Sequence, residues 1–473
     1  MKKLVKKVCV VAAIIFAAVD VFAVQELETL NGMPDASDNV WRYYAAGEEG
    51  NPTNANCVVQ GDWVIGATFD ALSGALGLGA SYYEGEEAKV LNLLNVKVET
   101  ADGVQTEVKE LTFPVGNAGW QKVKVKEIWA TDAANLPVLG INKSRDDTLA
   151  TTNDANIHIK RVYIKSDLVT EAMSDNFAYC YGLTNVILRC PNLVKWNERV
   201  LHFTCVTNDV SELVSPAVQS MGLWALCWWS GKNLITGSLV VTNQTGDISY
   251  ESFGHVTNLY LRGDNYMGSK GNGIDEGRLL LYGNGGYLKT VTVWWPKVRK
   301  MGGTPDSNNK NGKWCMCTSL KELHLYLPAL TNMVGDALGN GVLTTSGGSL
   351  YILGPVYRSE DGTDVIDTAH LQSMMGRFVE GFQYTGSGEA AANANNSGLK
   401  RGKIYMSKKW GWKEALEKSE YFVKLSDEAD TYEAKNAPEG CFGVWAGKGS
   451  GRRAYLVDYP QEGEPHGMCI RIQ

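Results

Sequence analysis

The feature that most constrains this chain is a pattern it repeats. "LKELHLYLPALTNM", residues 320–333, places Leu320, Leu323, Leu325, Pro328, Leu330 and Met333 on a spacing that fits neither a helix nor a plain strand. "LKTVTVWWPKVRKM" puts Leu288, Val291, Val293, Pro296, Val298 and Met301 in the same register. "LTNVILRCPNLVKW" does so with Leu183, Val186, Leu188, Pro191, Leu193 and Trp196. Degraded copies carry Ile159, Val162, Ile164, Val169 and Ala172; Leu213, Pro216, Val218 and Met221; Val256, Leu259, Leu261 and Asp264; and Leu350, Ile352 and Pro355, with a weak copy at Leu239 and Val241. Steps between strand-ending places are 24 residues (167 to 191), 25 (191 to 216), 32 (296 to 328) and 27 (328 to 355). Self-similarity at such a period predicts stacked repeats with loops of varying length. The longest step holds "GGTPDSNNKNGK", whose Gly, Asn and Pro read as a surface insertion.

In L-x-x-L-x-L the last two apolar residues are two apart, so they share one face of a short strand. The proline ends the strand because it has no N–H to give a neighbour. The apolar residues two and five places later are expected to turn back toward the same interior. A single copy cannot bury that face, so stacking must supply the core.

The chain opens MKKLVKKVCVVAAIIFAAVDVFAVQ, with lysines, an apolar run of about 11 residues and small residues up to Ala23. This predicts a signal peptide over residues 1–23 that is cleaved on export. The run is too short for the roughly 30 Å of a bilayer core, and no later run of about 18 apolar residues follows, so no membrane insertion is expected after cleavage. Cleavage removes four lysines and one aspartate and takes the formal charge from −7 to −10. With no basic cluster, no nucleic-acid partner is expected. Nine cysteines remain, an odd number that excludes a complete disulfide framework, and none has zinc-site spacing. Neither a metal nor a cofactor is expected.

"FAYCYGLTNVILRCPNLVKW", residues 177–196, and "WCMCTSLKELHLYLPALTNMVGDAL", residues 314–338, resemble the leucine-rich repeats of the BspA-like surface-protein family. Those units alternate an aromatic-x-x-Cys segment with a leucine strand ending at proline. The resemblance covers roughly residues 157–358 and implies a right-handed solenoid on an exported or cell-surface bacterial protein, often engaged in adhesion. Cys180, Cys205 and Cys317 each lie three residues before a rung, at Leu183, Asn208 and Leu320, so they are expected to be buried, unpaired core residues.

The expected fold class is mainly β: a leucine-rich-repeat solenoid over 157–358 with a β-rich N-terminal capping domain over 24–156 and a small α+β C-terminal module over 399–473. A capping helix over 359–384, begun by Asp367 with Leu371, Met374, Met375, Phe378 and Phe382 on one face, and a linker over 385–398 join the last two. In the N-terminal part "VLNLLNVKVET" and "WQKVKVKEIW" read as half-buried strands, and "GALGLGA" as a turn or bulge. In the module we expect a strand at Ile404–Met406, a helix at Trp410–Lys418, a hairpin of Phe442–Ala446 with Ala454–Tyr459, and a last strand at Met468–Ile472.

Signals for catalysis are weak. Ser307-Asn308-Asn309-Lys310 fits S-x-x-K, but the K-[ST]-G that a penicillin-recognising serine enzyme needs is absent. Six histidines are scattered without a G-x-S-x-G or H-E-x-x-H frame. Arg262-Gly263-Asp264 is a tripeptide known for engaging integrin receptors, yet Asp264 also occupies the strand-ending place where a turn residue is needed. The outward rung positions carry the ligand-binding candidates Tyr163, Lys165, Arg189, Tyr260, Arg262, Trp294, His324, Tyr326 and Tyr351. Aromatics with cations are enriched at binding surfaces, although aromatics also simply favour strands. We therefore expect no enzyme but a secreted or cell-surface protein that binds an extracellular protein or glycan. The alternatives are a polysaccharide-processing enzyme on a β-solenoid, which would need clustered carboxylates, and a structural surface protein.

Overall fold

The computed structural model describes residues 30–301 apart from 82–86, 117–118, 122, 141–155, 223, 227–232, 249–254, 272–273 and 277–286, and beyond them the backbone of strands between Glu322 and Asp458. The described chain is mainly β. Its N-terminal strands are β1 (Val40–Tyr44), β2 (Cys57–Gln60), β3 (Trp63–Asp70), β4 (Ala75–Ser81), β5 (Lys89–Leu93), β6 (Lys97–Glu99), β7 (Gln105–Glu107), β8 (Glu110–Thr112) and β9 (Val125–Thr131). There follow β10 (Arg161–Lys165), β11 (Glu171–Ala172), β12 (Asn185–Arg189), β13 (Lys195–Trp196), β14 (Ser220–Met221), β15 (Ser238–Val241), β16 (Asn258–Arg262), β17 (Ser269–Gly271), β18 (Ile274–Glu276), β19 (Thr290–Trp294) and β20 (Lys300–Met301). The last group is β21 (Glu322–Tyr326), β22 (Asn332–Met333), β23 (Ser349–Ile352), β24 (Tyr357–Arg358), β25 (Asp364–Val365), β26 (Arg401–Met406), β27 (Phe422–Ser426), β28 (Thr431–Ala434) and β29 (Arg453–Asp458). Among the described residues no helix is long and apolar enough to cross a membrane.

The repeat pattern produces two parallel ladders. The first runs β5-β9-β10-β12 and the second β15-β16-β19-β21. Pairing is in register at the repeat's own places: Val162 faces Ile128 and Val186, Ile164 faces Ala130 and Leu188, and Leu259 and Leu261 face Val291 and Val293. All of these are buried. A strand buried on its inner face gains most from branched and leucine side chains, which explains the residue choice. The ladder extends beyond the repeats found by pattern, since β9 and β5 add Ile128 with Ala130 and Leu91 with Leu93.

The fifth place after the strand end forms its own short ladder. Ala172, Trp196 and Met221 pair in parallel in β11, β13 and β14, and all three are buried. The backbones of Met301 and Met333 pair in the same way. Between the two main ladders the Leu213 copy has no strand ahead of its proline. Its place is taken by a 3-10 helix, Val210–Glu212, capped by Asp209. Asn208, standing where other copies have a leucine, accepts from the Val186 N–H at 2.8 Å through Oδ1, so a polar side chain completes the rung. Thr236 bridges Asp209 in parallel on the far side and carries the stack into β15.

The turns after each rung also repeat. Asp175, Arg199 and Trp224 stand at corresponding places, and all have positive φ, 63°, 59° and 58°. Tyr179 and Phe203, four residues further on, do the same at 61° and 55°. Left-handed backbone is costly for bulky residues, so stacking must hold it. The bonds that do so include Phe177 N–H to Val200 O at 2.9 Å and Tyr179 N–H to His202 O at 2.7 Å.

The N-terminal strands make a seven-stranded mixed sheet in the order β7-β6-β1-β2-β3-β4-β8. Its inner residues Trp41, Val58, Trp63 and Ile65 belong to the same continuous core as both ladders. Trp63 Nε1 donates to Val90 O at 3.1 Å and ties this sheet to the first rung. "GALGLGA" is largely strand β4 rather than a turn, with the irregularity in its pairing with β3 between Ile65 and Ala67. A Cβ on Gly79 would stand 3.0 Å from Gly66 O, so the close approach of the two strands needs glycine there.

Cys57, Cys180 and Cys190 are buried and free. Cys205, expected to be buried, is only half-buried, and Cys317 lies outside the described residues. At the C-terminal side β23, β26 and β29 form one parallel sheet, with Leu350 facing Ile404 and Ile404 facing Leu456. The last repeat copy and the expected module therefore share a sheet. β29 covers most of Ala454–Tyr459, for which a hairpin was expected, but pairs in parallel with β26. Within the 359–384 range expected as a capping helix, Asp364–Val365 is strand β25, paired antiparallel with β24, and the rest lies outside the described residues, as do Phe442–Ala446, the 385–398 linker, the Trp410–Lys418 helix and the last strand.

Candidate functional site: the outward faces of the two ladders

Side chains alternate along a strand, so each rung that buries its paired apolar residues turns the residue between them outward. In the first ladder this middle column is Asn92, Trp129, Tyr163 and Ile187. Trp129 and Tyr163 lie 5.3 Å apart between ring centres. Sequence reasoning placed Tyr163 on the outward face as a binding candidate. It does point away from the main core, yet it is fully buried, because Leu30, Met33 and Ala36 pack over Trp129, Tyr163, Ile187 and Leu94. The covering segment is held by Arg161 Nη1 donating to Asn31 O at 2.9 Å and Asn92 Nδ2 donating to Asp35 O at 2.7 Å. The Arg161 guanidinium lies 5.4 Å from the Trp129 ring centre. Burial pushes the Tyr163 hydroxyl up to about 12, and that oxygen has no hydrogen-bond partner among the described residues. The register makes Lys165 and Arg189 neighbours on the next column, both half-exposed.

The second ladder presents a different face. Its middle column is Val240, Tyr260 and Thr292, and the next column pairs Arg262 with Trp294. Tyr260, Arg262 and Trp294 are all half-exposed, while Thr292 is buried. The Arg262 guanidinium sits 5.6 Å from the Trp294 ring centre. Its Nε and Nη2 donate to the Asp264 carboxylate at 2.9 to 3.1 Å. That hydrogen bonding raises the Arg262 pKa, so the cation is fixed. Burial pushes the Tyr260 hydroxyl up, partly offset by the same guanidinium. Backbone pairing puts His324 beside Thr292 and Tyr326 beside Trp294, extending both columns. Tyr351 lies on another sheet, where its register partner is Tyr405.

The nine sequence candidates therefore fall into three groups. Tyr163, Lys165 and Arg189 share the first ladder, five share the second, and Tyr351 stands apart. The Arg262-Gly263-Asp264 tripeptide closes on itself, with the arginine and aspartate paired to each other. A Cβ on Gly263 would stand 2.6 Å from the Tyr266 Cβ, so glycine is required where the strand turns. Sequence reasoning missed the segment at 30–36, which has no repeat signature, and, although it read a half-buried strand ending at Trp129, it missed that this strand is a rung with Trp129 outward, because it lacks a proline and has Ala130 in a rung place. The apolar pair Leu91 and Leu93 was the available signal for the extra rungs. Among the described residues no group of three His, Cys, Asp or Glu side chains is placed to hold a metal ion.

No family model matches the chain, and no curated protein matches it. Among solved structures it is similar to the crystal structure of a leucine-rich repeat protein from Bacteroides ovatus, at 12% identity over 62% of this chain and 94% of that one. The TM-score is 0.21, too low to transfer a fold.

Proposed function

We propose that this chain is an exported, non-catalytic repeat protein. Its ladders form a right-handed leucine-rich-repeat solenoid of the BspA-like kind, and the outward face of the second ladder recognises a protein or glycan outside the cell. One observation carries this reading: Tyr260, Arg262 and Trp294 stand on adjacent rungs, half-exposed, with a fixed cation over an indole. Rigid aromatics beside a held guanidinium bury area at low entropic cost, which is what interface anchors require. Export is supported by the opening lysine-plus-apolar segment and its small residues up to Ala23.

The test is an array of glycans and extracellular-matrix proteins, probed with the wild type and with the Tyr260→Ala/Trp294→Ala variant. A ligand that the wild type binds is expected to be lost by the variant while its unfolding remains cooperative. Equal binding by both proteins would show that recognition lies elsewhere.

A further inference from the structure

The first ladder shows how this protein fills the outward face of one of its own sheets. Residues 30–36 contribute no strand to any sheet. Instead Leu30, Met33 and Ala36, three residues apart, pack on the Trp129, Tyr163 and Ile187 column. Two side chains of the face then take backbone carbonyls of the segment, Arg161 that of Asn31 and Asn92 that of Asp35. Arg161 does so while stacked against Trp129.

The second ladder carries the same parts. Tyr260 occupies the repeat place that Tyr163 occupies in the first, four residues before the strand-ending position. An arginine again lies over a tryptophan, at 5.6 Å against 5.4 Å. Here the tryptophan is not in the middle column, as Trp129 is, but stands beside it with the arginine, on the side opposite to Arg161, and the pair remains half-exposed. An arginine held this way offers fixed N–H donors, which suit the backbone carbonyl oxygens of a peptide segment.

We infer that the outward face of the second ladder takes a polypeptide segment whose apolar side chains stand three residues apart about a turn, as the first ladder takes residues 30–36, where the Met33 N–H donates to Leu30 O. The inference rests on the functional reading of that face and names its partner class. The apolar side chains lie along Val240 and Tyr260, and Arg262 over Trp294 receives a backbone carbonyl from the side opposite to that used by Arg161. Specificity then comes from the apolar spacing, and the carbonyl contact tolerates any residue at its position.

The experiment is selection of a display library of short random peptides on the full mature chain, run beside a glycan array. The wild type, Arg262→Ala, Tyr260→Ala/Trp294→Ala and Arg161→Ala are all probed. Arg262→Ala changes an exposed side chain and serves if the double variant fails to fold. The expected result is enrichment of peptides with two apolar residues three apart. Their affinity should fall about tenfold or more in Arg262→Ala, and Arg161→Ala should leave it unchanged. Glycans bound by the wild type and lost with the second-ladder variants, without peptide enrichment, would overturn the peptide inference and leave the face as the site. Peptides lost with Arg161→Ala and kept by Arg262→Ala would mean displacement of residues 30–36 from the first ladder, and would also overturn it. Peptides bound equally by every variant, or no enrichment at all, would overturn it too.

Discussion

The two ladders are alike inside and unlike outside. Inward, both set pairs of aliphatic residues in register, Val162 and Ile164 on Val186 and Leu188 in the first, Leu259 and Leu261 on Val291 and Val293 in the second. Outward, Trp129 and Tyr163 are interior residues under a covering segment, whereas Tyr260 and Trp294 meet solvent. An inward position must fill a space bounded by its neighbours in the stack, which restricts both polarity and volume. An outward position answers only to what lies over it. The same residue type at the same repeat place can therefore be core in one ladder and surface in the other.

The comparison breaks most visibly at tryptophan. Trp129→Ala opens a cavity beneath residues 30–36 and is expected to cost about 3–5 kcal/mol, while Trp294→Ala costs about 1 kcal/mol or less. Urea unfolding of the two variants measures the gap, and similar costs would mean that the covering segment adds nothing. The inward faces should not differ. Leu188→Ala and Leu261→Ala are each expected to cost about 2–5 kcal/mol by the same measurement. A large difference between them would show that the two stacks are packed unequally.

The turns that follow the rungs also carry two oppositely shifted groups. Asp175 is buried and paired with Arg199 at 3.2 Å, and its burial outweighs the pair and raises its pKa to about 6. His202 is buried beside Trp224 and Phe203, and burial lowers its pKa to about 3. Asp175 keeps its proton longer in the folded state, so acidifying from about 6 to 4 stabilises the protein through it. For His202 the unfolded chain takes the proton first, so acidifying from about 6.5 to 3 destabilises. Each slope is at most about 1.4 kcal/mol per pH unit, and between pH 4 and 6 they oppose. Stability of the wild type should therefore vary little from these groups in that window. Asp175→Asn should uncover a loss of stability on acidification, and His202→Gln a gain. Melting temperatures recorded from pH 4 to 7 check both signs, and parallel profiles for the two variants would refute the assignment.

The smallest expected difference lies in two hydroxyls. Tyr163→Phe removes a buried oxygen that has no partner among the described residues, and should be neutral or stabilising by up to about 1 kcal/mol. Tyr260→Phe lies on the half-exposed face and should change stability by less than about 0.5 kcal/mol. A destabilising Tyr163→Phe would mean that its hydroxyl is hydrogen-bonded beneath the segment.

The sequence alone determined the rungs. Period-two apolar pairs and a residue that stops the strand recur at fixed offsets, and only stacking can bury them, so the register of Val162, Val186, Leu259 and Val291 was legible before any coordinate. It also determined that Trp196 and Met221 face inward, because an apolar residue five places past each strand end has no other shelter. The tertiary structure decided the rest. That Asn208 completes a rung with its side chain, that Arg199 and Trp224 adopt left-handed backbone, and that Leu30 and Met33 cover Tyr163 all depend on groups distant in sequence. Local pattern encodes which side of a strand a residue takes, since alternation is a property of the backbone. Whether that side meets water is set by where another segment comes to rest, and here seven residues, 30–36, separate a buried outward face from a half-exposed one.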